Sequence, residues 1–239
     1  MVNELLKKVY TDQRVQDAEG NLVNPFPSAV PIATGQLLYD LISTERLAHT
    51  LEVGMGYGLS AQFIAQAHLD KGGGSHVAID PWQHHRYRSI GVSNLRKSGL
   101  DQIVQFHNQP SHEALPRLHQ EALKLDLAFI DGMHTFDHAL VDFFYVDLMM
   151  RVGGYVLMDD LWMPSIRKLL SFILRNRAYT LLRYPAHRPA PRVRRVLMAG
   201  RRLLQNRLLP DRLTFFPHNV CVLKKMSDDV RTFDHYRRF

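Results

Sequence analysis

The chain has 239 residues, 46% of them hydrophobic and 22% charged, which suits one α/β domain with a sizeable core and excludes a disordered or fibrous polymer. A single cysteine, Cys221, excludes an internal disulfide, and no apolar run approaches the ~18 residues of a membrane-spanning helix. The net charge of +7 is local: residues 163–212 hold 13 Lys and Arg against one acid, Asp211, while the remainder of the chain is net acidic.

Residues 1–34 read as an N-terminal arm, a short helix and then a polar stretch with Pro25, Pro27 and Pro31. Met1 to Tyr10 shows no signal-peptide core, so the expected location is cytoplasmic, or peripheral to the inner face of a membrane. Residues 35–239 read as one catalytic-type domain. Gly35 to Leu47 has helical spacing, and His49 to Val53 is a short strand that runs into glycines at 54, 56 and 58. A helix pattern begins at Ser60. Strand, glycine turn, helix is the arrangement that lets backbone approach a nucleotide-like ligand. The spacing is G-x-G-x-G with Leu59 next, so the last small residue of a dinucleotide loop is missing and a dehydrogenase is disfavoured.

Further on, His76 to Ile79 is a strand that ends in Asp80, a carboxylate suited to ribose hydroxyls, followed by Pro81 and Trp82 as an apolar face for a base. Tyr87 to Gly99 reads as a helix, Ile103 to Phe106 as a strand, and Ser111 as the N-cap of a helix to Leu118. Leu127 to Ile130 is an apolar strand that ends at Asp131. Phe136 to Met150 is helical, and Gly153-Gly154 turns into the strand Tyr155 to Met158, which stops at Asp159-Asp160. A helix over Ser165 to Leu174 and strands at Tyr179 to Tyr184 and Val220 to Leu223 complete the chain, with a basic insertion at about 186–213. Alternating strands and helices predict a Rossmann-like, doubly wound, mostly parallel seven-stranded sheet. Glu52, Asp80, Asp131 and the Asp159-Asp160 pair are then expected at the carboxyl ends of strands, where such sheets bind ligands.

The E-x-G-x-G-x-G motif at 52–58 resembles the first motif of class I S-adenosylmethionine (SAM)-dependent methyltransferases. Asp131-Gly132-Met133-His134, the Gly153-Gly154 strand and Asp159-Asp160 are similar to the small-molecule and sugar O-methyltransferases of the family 24 type, with macrocin-type enzymes nearer than catechol-type ones. The resemblance implies that Glu52, Gly54, Gly56, Gly58, Asp80, Pro81, Trp82, Gln109 and Asp131 hold the cofactor. It also implies that Asp131, Asp159 and Asp160 bind Mg²⁺ and that His134 is the base, with Asp131 beside it in the catalytic set. Thr34-Gly35-Gln36 resembles the segment that covers the methionine end, and His84, His85 and Arg86 are candidates for a substrate mouth. Catechol-type enzymes have Asn where this chain has Asp160, so the third ligand differs.

The favoured function is O-methylation of a small molecule, sugar or glycan. The alternatives are an RNA or protein methyltransferase that grips its substrate with the basic segment, and a non-catalytic SAM-binding scaffold at a membrane. Residues 188–212 interleave arginines with leucines, a pattern for an anionic substrate, an anionic membrane surface or a homo-oligomer contact. Few aromatics accompany them, which disfavours stacking on single-stranded nucleic acid.

Overall fold

A computed structural model describes residues 3–26, 28–182 and 219–239. The basic insertion at 186–213, including 188–212, and the end of the strand expected to reach Tyr184 lie outside the described residues. In chain order the elements are α1 (Glu4–Asp12), β1 (Val15–Gln16), β2 (Leu22–Val23), α2 (Ile32–Thr44), β3 (His49–Val53), α3 (Leu59–Asp70), β4 (Ser75–Ile79) and α4 (Ile90–Lys97). They continue with β5 (Val104–His107), α5 (Ser111–Gln120), β6 (Leu125–Ile130), α6 (Phe136–Met149), β7 (Met150–Met158), α7 (Pro164–Asn176), β8 (Tyr179–Leu182) and β9 (Cys221–Lys225).

Seven strands form one sheet in the order β5-β4-β3-β6-β7-β9-β8, parallel from β5 to β7 and antiparallel where β9 pairs with β7 and β8. The central strands are apolar because helices cover both faces. Leu51, Val53, Ala128, Ile130, Val156 and Met158 pack with α5, α6 and α7 on one side, while Leu127, Phe129, Tyr155 and Leu157 pack with α2 and α3 on the other. The register aligns Val53 with both Ile79 and Ile130, and Ile130 with Met158. The residues that follow, Gly54, Asp80, Asp131 and Asp159, therefore emerge along one edge.

The N-terminal residues are packed into this body. Asn3 caps α1 by accepting from the Leu6 N–H at 2.8 Å, and Leu6 and Val9 are buried in the same cluster as Phe63 and Phe129. Gly35 is required where α2 crosses α3, since a Cβ there would lie 2.2 Å from the Phe63 ring.

Several boundaries differ from expectation, four of them informatively. The helix expected from Tyr87 starts at Ile90, because Arg88 and Ser89 take left-handed backbone angles and residues 81–89 form turns instead. Ser111 is the first residue of α5 and not its cap: Pro110 occupies the cap position, with no side-chain hydrogen bond there. The strand expected from Tyr155 begins at Met150 and passes through an irregularity at Gly153, whose φ is 84°. The helix expected from Ser60 begins at Leu59. No helix among the described residues is long and apolar enough to cross a membrane.

Candidate active site

A cavity of about 820 Å³ opens at the carboxyl edge of the sheet. One side of it is built by the turn between β3 and α3. Gly54 has φ 93°, and a Cβ on it would sit 2.1 Å from the Asp131 carbonyl oxygen, so only glycine lets these two strand ends close up. Asp80 is 2% exposed, and its carboxylate is already oriented by backbone. Oδ2 accepts from the Gly56 N–H at 2.7 Å, and Oδ1 accepts from the Trp82 N–H, also at 2.7 Å. A carboxylate held in this way keeps lone pairs for hydroxyl donors in the cavity. Gln83 reinforces the turn by donating to the Gly56 carbonyl at 2.6 Å.

The other side carries the crowded acids. His134 Nε2 lies 2.7 Å from Asp160 Oδ2 and 3.5 Å from Asp131 Oδ1. Asp160 is aimed by its own backbone, which adopts a left-handed φ of 54° directly after β7. Its Oδ1 accepts from Trp162 Nε1 at 2.7 Å and from Asn219 Nδ2 at 3.2 Å, and Asp159 Oδ1 accepts from Asn219 Nδ2 at 2.6 Å.

The electrostatics follow from this crowding. The carboxylates of Asp131 and Asp160 hold the His134 proton and raise its pKa to about 10. Burial raises Asp131, an effect that His134 opposes and Asp160 adds to. Asp159 is also raised, first by burial and then by the charge of Asp131. Asp160 alone is lowered: burial acts against ionisation, but hydrogen bonds from His134, Asn219 and Trp162 outweigh it. Ligand atoms of Asp131, His134 and Asp160 lie within 4.8 Å of one another. Burial first, and then the charge of Asp160, drives Asp131 toward protonation, which a hard dication would relieve; the two carboxylates suit Mg²⁺ or Ca²⁺, whereas the third member, His134, is a nitrogen donor. Asp159 is not within that close group, although it borders the same cavity.

Gly54, Gly56, Asp80, Pro81, Trp82, Asp131, His134, Asp159 and Asp160 all line the cavity. Three residues expected to hold the cofactor do not line this cavity. Glu52 is fully buried and turned toward Ser60 and His76. Gly58 serves packing, since a Cβ there would lie 2.9 Å from Gly91 of α4. Gln109 accepts from Arg117 Nη2 at 3.2 Å, and the wall beside it is formed by Pro110, Ser111 and His112. The methionine-end segment is also displaced: Ser28 to Pro31 line the cavity, while Thr34 and Gly35 are buried within α2. Of the three mouth candidates, Arg86 borders the cavity and His84 is bonded to Ser89.

Asn219, Trp162, Tyr87 and His138 were not anticipated as wall residues. Asn219 directly precedes the last strand, and that position was its available signal. Asp142 of α6 was also missed; it is 1% exposed, and burial raises its pKa to about 6.

A parallel sheet of this order, with a glycine turn and Asp80 on one side of a cavity and an acid–histidine cluster on the other, has the fold of class I methyltransferases. Within that class, residues 51–161 match the family model described as a methyltransferase domain (Methyltransf_24). A protein of Arabidopsis thaliana named as a caffeoyl-CoA O-methyltransferase is 26% identical over 136 residues, 56% of this chain. The chain spans about half the length of that relative, 55%. Two solved structures share the fold. The Streptomyces achromogenes O-methyltransferase TomG, in complex with SAM, has a TM-score of 0.61 at 21% identity, covering 75% of this chain and 82% of that one. The Bacillus cereus O-methyltransferase, in complex with S-adenosylhomocysteine (SAH), has a TM-score of 0.62 at 18% identity, covering 75% and 83%.

Proposed function

We propose that the protein transfers a methyl group from SAM to a hydroxyl of a small molecule, sugar or glycan. The observation that carries this reading is the Asp131–His134–Asp160 cluster facing the same cavity as the glycine turn and Asp80. Asp80 would hold the ribose hydroxyls, and Gly54 and Gly56 would let the cofactor lie against backbone. Pro81 and Trp82 would border the base. The bound cofactor supplies an electrophilic methyl and departs as a neutral thioether. His134 takes the proton of the acceptor hydroxyl as its oxygen forms the bond to the methyl carbon. Asp131 and Asp160 orient the imidazole and stabilise it once it is charged.

Asp131 and Asp160, with Asp159 bordering the same cavity, would hold a magnesium ion, which would supply charge stabilisation for the developing alkoxide. With those carboxylates engaged by a cation, their pull on the His134 proton weakens and the imidazole is free to act as base.

The similarity to proteins named as O-methyltransferases supports oxygen as the acceptor atom. The test is transfer of a labelled methyl group from SAM to a panel of catechols, sugars and amines, with magnesium and with chelator. Label on hydroxyl acceptors supports the assignment, and label on amines alone contradicts it. The arginine-rich segment 188–212 is assigned to the acceptor or to an anionic surface. Its deletion is expected to leave SAH affinity unchanged and to weaken acceptor binding or vesicle sedimentation. Unchanged values in both assays would remove that assignment.

A further inference from the structure

The last strand reaches back to the acid pair through one side chain that the chemistry above leaves unused. Asn219 directly precedes β9, which runs antiparallel to β7, and its carbonyl accepts from the Leu161 N–H at 2.9 Å. Its backbone is therefore tied to the residue that follows Asp159-Asp160. Its side chain lines the cavity, and Nδ2 lies 2.6 Å from Asp159 Oδ1 and 3.2 Å from Asp160 Oδ1. Both of those oxygens also accept from other N–H groups, Asp159 Oδ1 from the Asp160 backbone at 2.8 Å and Asp160 Oδ1 from Trp162 Nε1 at 2.7 Å. The amide therefore presents its nitrogen, which carries two hydrogens, one for each acid. The reverse orientation would set a carbonyl oxygen against two acceptors.

These donors all fall on one oxygen of each acid, and among the described residues Asn219 is the side chain that donates to both. Asp160 Oδ2 is left 2.7 Å from His134 Nε2, in the close group that includes Asp131. Asp159 is drawn the other way: its Oδ1 is engaged by two N–H groups, and it stands outside that group. A strand that simply continued would point successive side chains to opposite faces. Asp160 breaks that alternation with φ 54°, an angle that a non-glycine residue keeps only when its surroundings hold it there. Asn219 and Trp162 supply that restraint at Oδ1.

We propose that Asn219 is a positioning residue for the cation: it holds Asp159 back as a buttress and turns Asp160 Oδ2 toward Asp131, so that Asp131 and Asp160 bind the ion. The proposal rests on the cation reading above. Its probe is Mn²⁺, which takes the same oxygen ligands as Mg²⁺, titrated calorimetrically into metal-free protein, with SAH titrated separately in chelator. In Asn219→Ala, Mn²⁺ is expected to bind about 10–100-fold more weakly, the usual loss when the support behind a ligand is removed, while SAH affinity stays within about twofold. A role in packing alone would weaken both ligands together. Asp159→Asn keeps the oxygen that accepts from Asn219 and from the Asp160 N–H. It is expected to cost less Mn²⁺ affinity than Asp160→Asn, a comparison that stands even if Asn219→Ala fails to fold. Unchanged Mn²⁺ binding in Asn219→Ala, a parallel loss of SAH, or a loss in Asp159→Asn as large as in Asp160→Asn would each overturn the role of Asn219. Wild-type protein that binds SAH but no Mn²⁺ would overturn the cation reading itself, and this role with it.

Discussion

Asp80 and Asp159 both stand at the carboxyl ends of parallel strands, and both are nearly inaccessible, at 2% and 4% exposure. Their surroundings are opposite. Asp80 is met by two backbone N–H groups, whereas Asp159 faces Asp131 and is pushed toward protonation. The first is a finished hydrogen-bonding group prepared for neutral donors. The second borders an acid cluster that the proposed cation would complete. In the proposed function one sheet edge carries a binding half and a reacting half, which differ in whether the protein itself satisfies the acids.

The sharpest way to separate the halves is His134→Ala. Turnover is expected to fall by about 10²–10⁴, the usual contribution of a positioned base, while SAH affinity stays within about threefold. Equal turnover in the variant would remove His134 from the mechanism. Asp80→Asn should do the reverse, weakening SAH by about 10–100-fold through loss of charge-assisted hydrogen bonds, with little change in turnover at saturating cofactor. A parallel collapse of turnover at saturation would erase the distinction between the two halves.

Cation removal sharpens the comparison through pH. Without a cation, Asp131 and Asp160 keep His134 protonated to about pH 10. The free base is then scarce at neutral pH, and residual turnover in chelator should rise about tenfold per pH unit until that pKa. Magnesium should move the plateau to lower pH. Identical pH–rate profiles with and without chelator would contradict the cation's role.

The smallest expected effect concerns stability. Burial raises Asp142 from an ordinary 3.8 to about 6. Between those values the folded protein holds a proton that the unfolded chain has released, so stability falls as pH rises through that window. Asp142→Asn should flatten this slope and stabilise the protein at pH 7 by about 2–3 kcal/mol, read from denaturant midpoints at several pH values. An unchanged slope would place the titrating group elsewhere.

The binding edge was legible in the sequence because strands buried on both faces are apolar runs that stop where the sheet meets solvent. Leu127 to Ile130 before Asp131 and Tyr155 to Met158 before Asp159 announced their own ends. Glu52 stands back from the cavity because Val53 separates it from that edge, and a side chain within a strand can turn into the sheet, as this one does toward His76. Gln109 lies outside the cavity wall for a different reason: the turn after β5 carries no pattern that fixes which residue faces inward, and Pro110, Ser111 and His112 do so. Asn219 and Trp162 act through contacts with Asp160 that only the folded chain creates. Asp142 looks like any polar residue of a helix until α5 and α6 pack together.

The central claim is tested most directly by calorimetric titration of SAH into the purified protein in magnesium buffer. The account predicts saturable, micromolar, one-to-one binding. No detectable heat from protein shown to be folded by its thermal transition would contradict it.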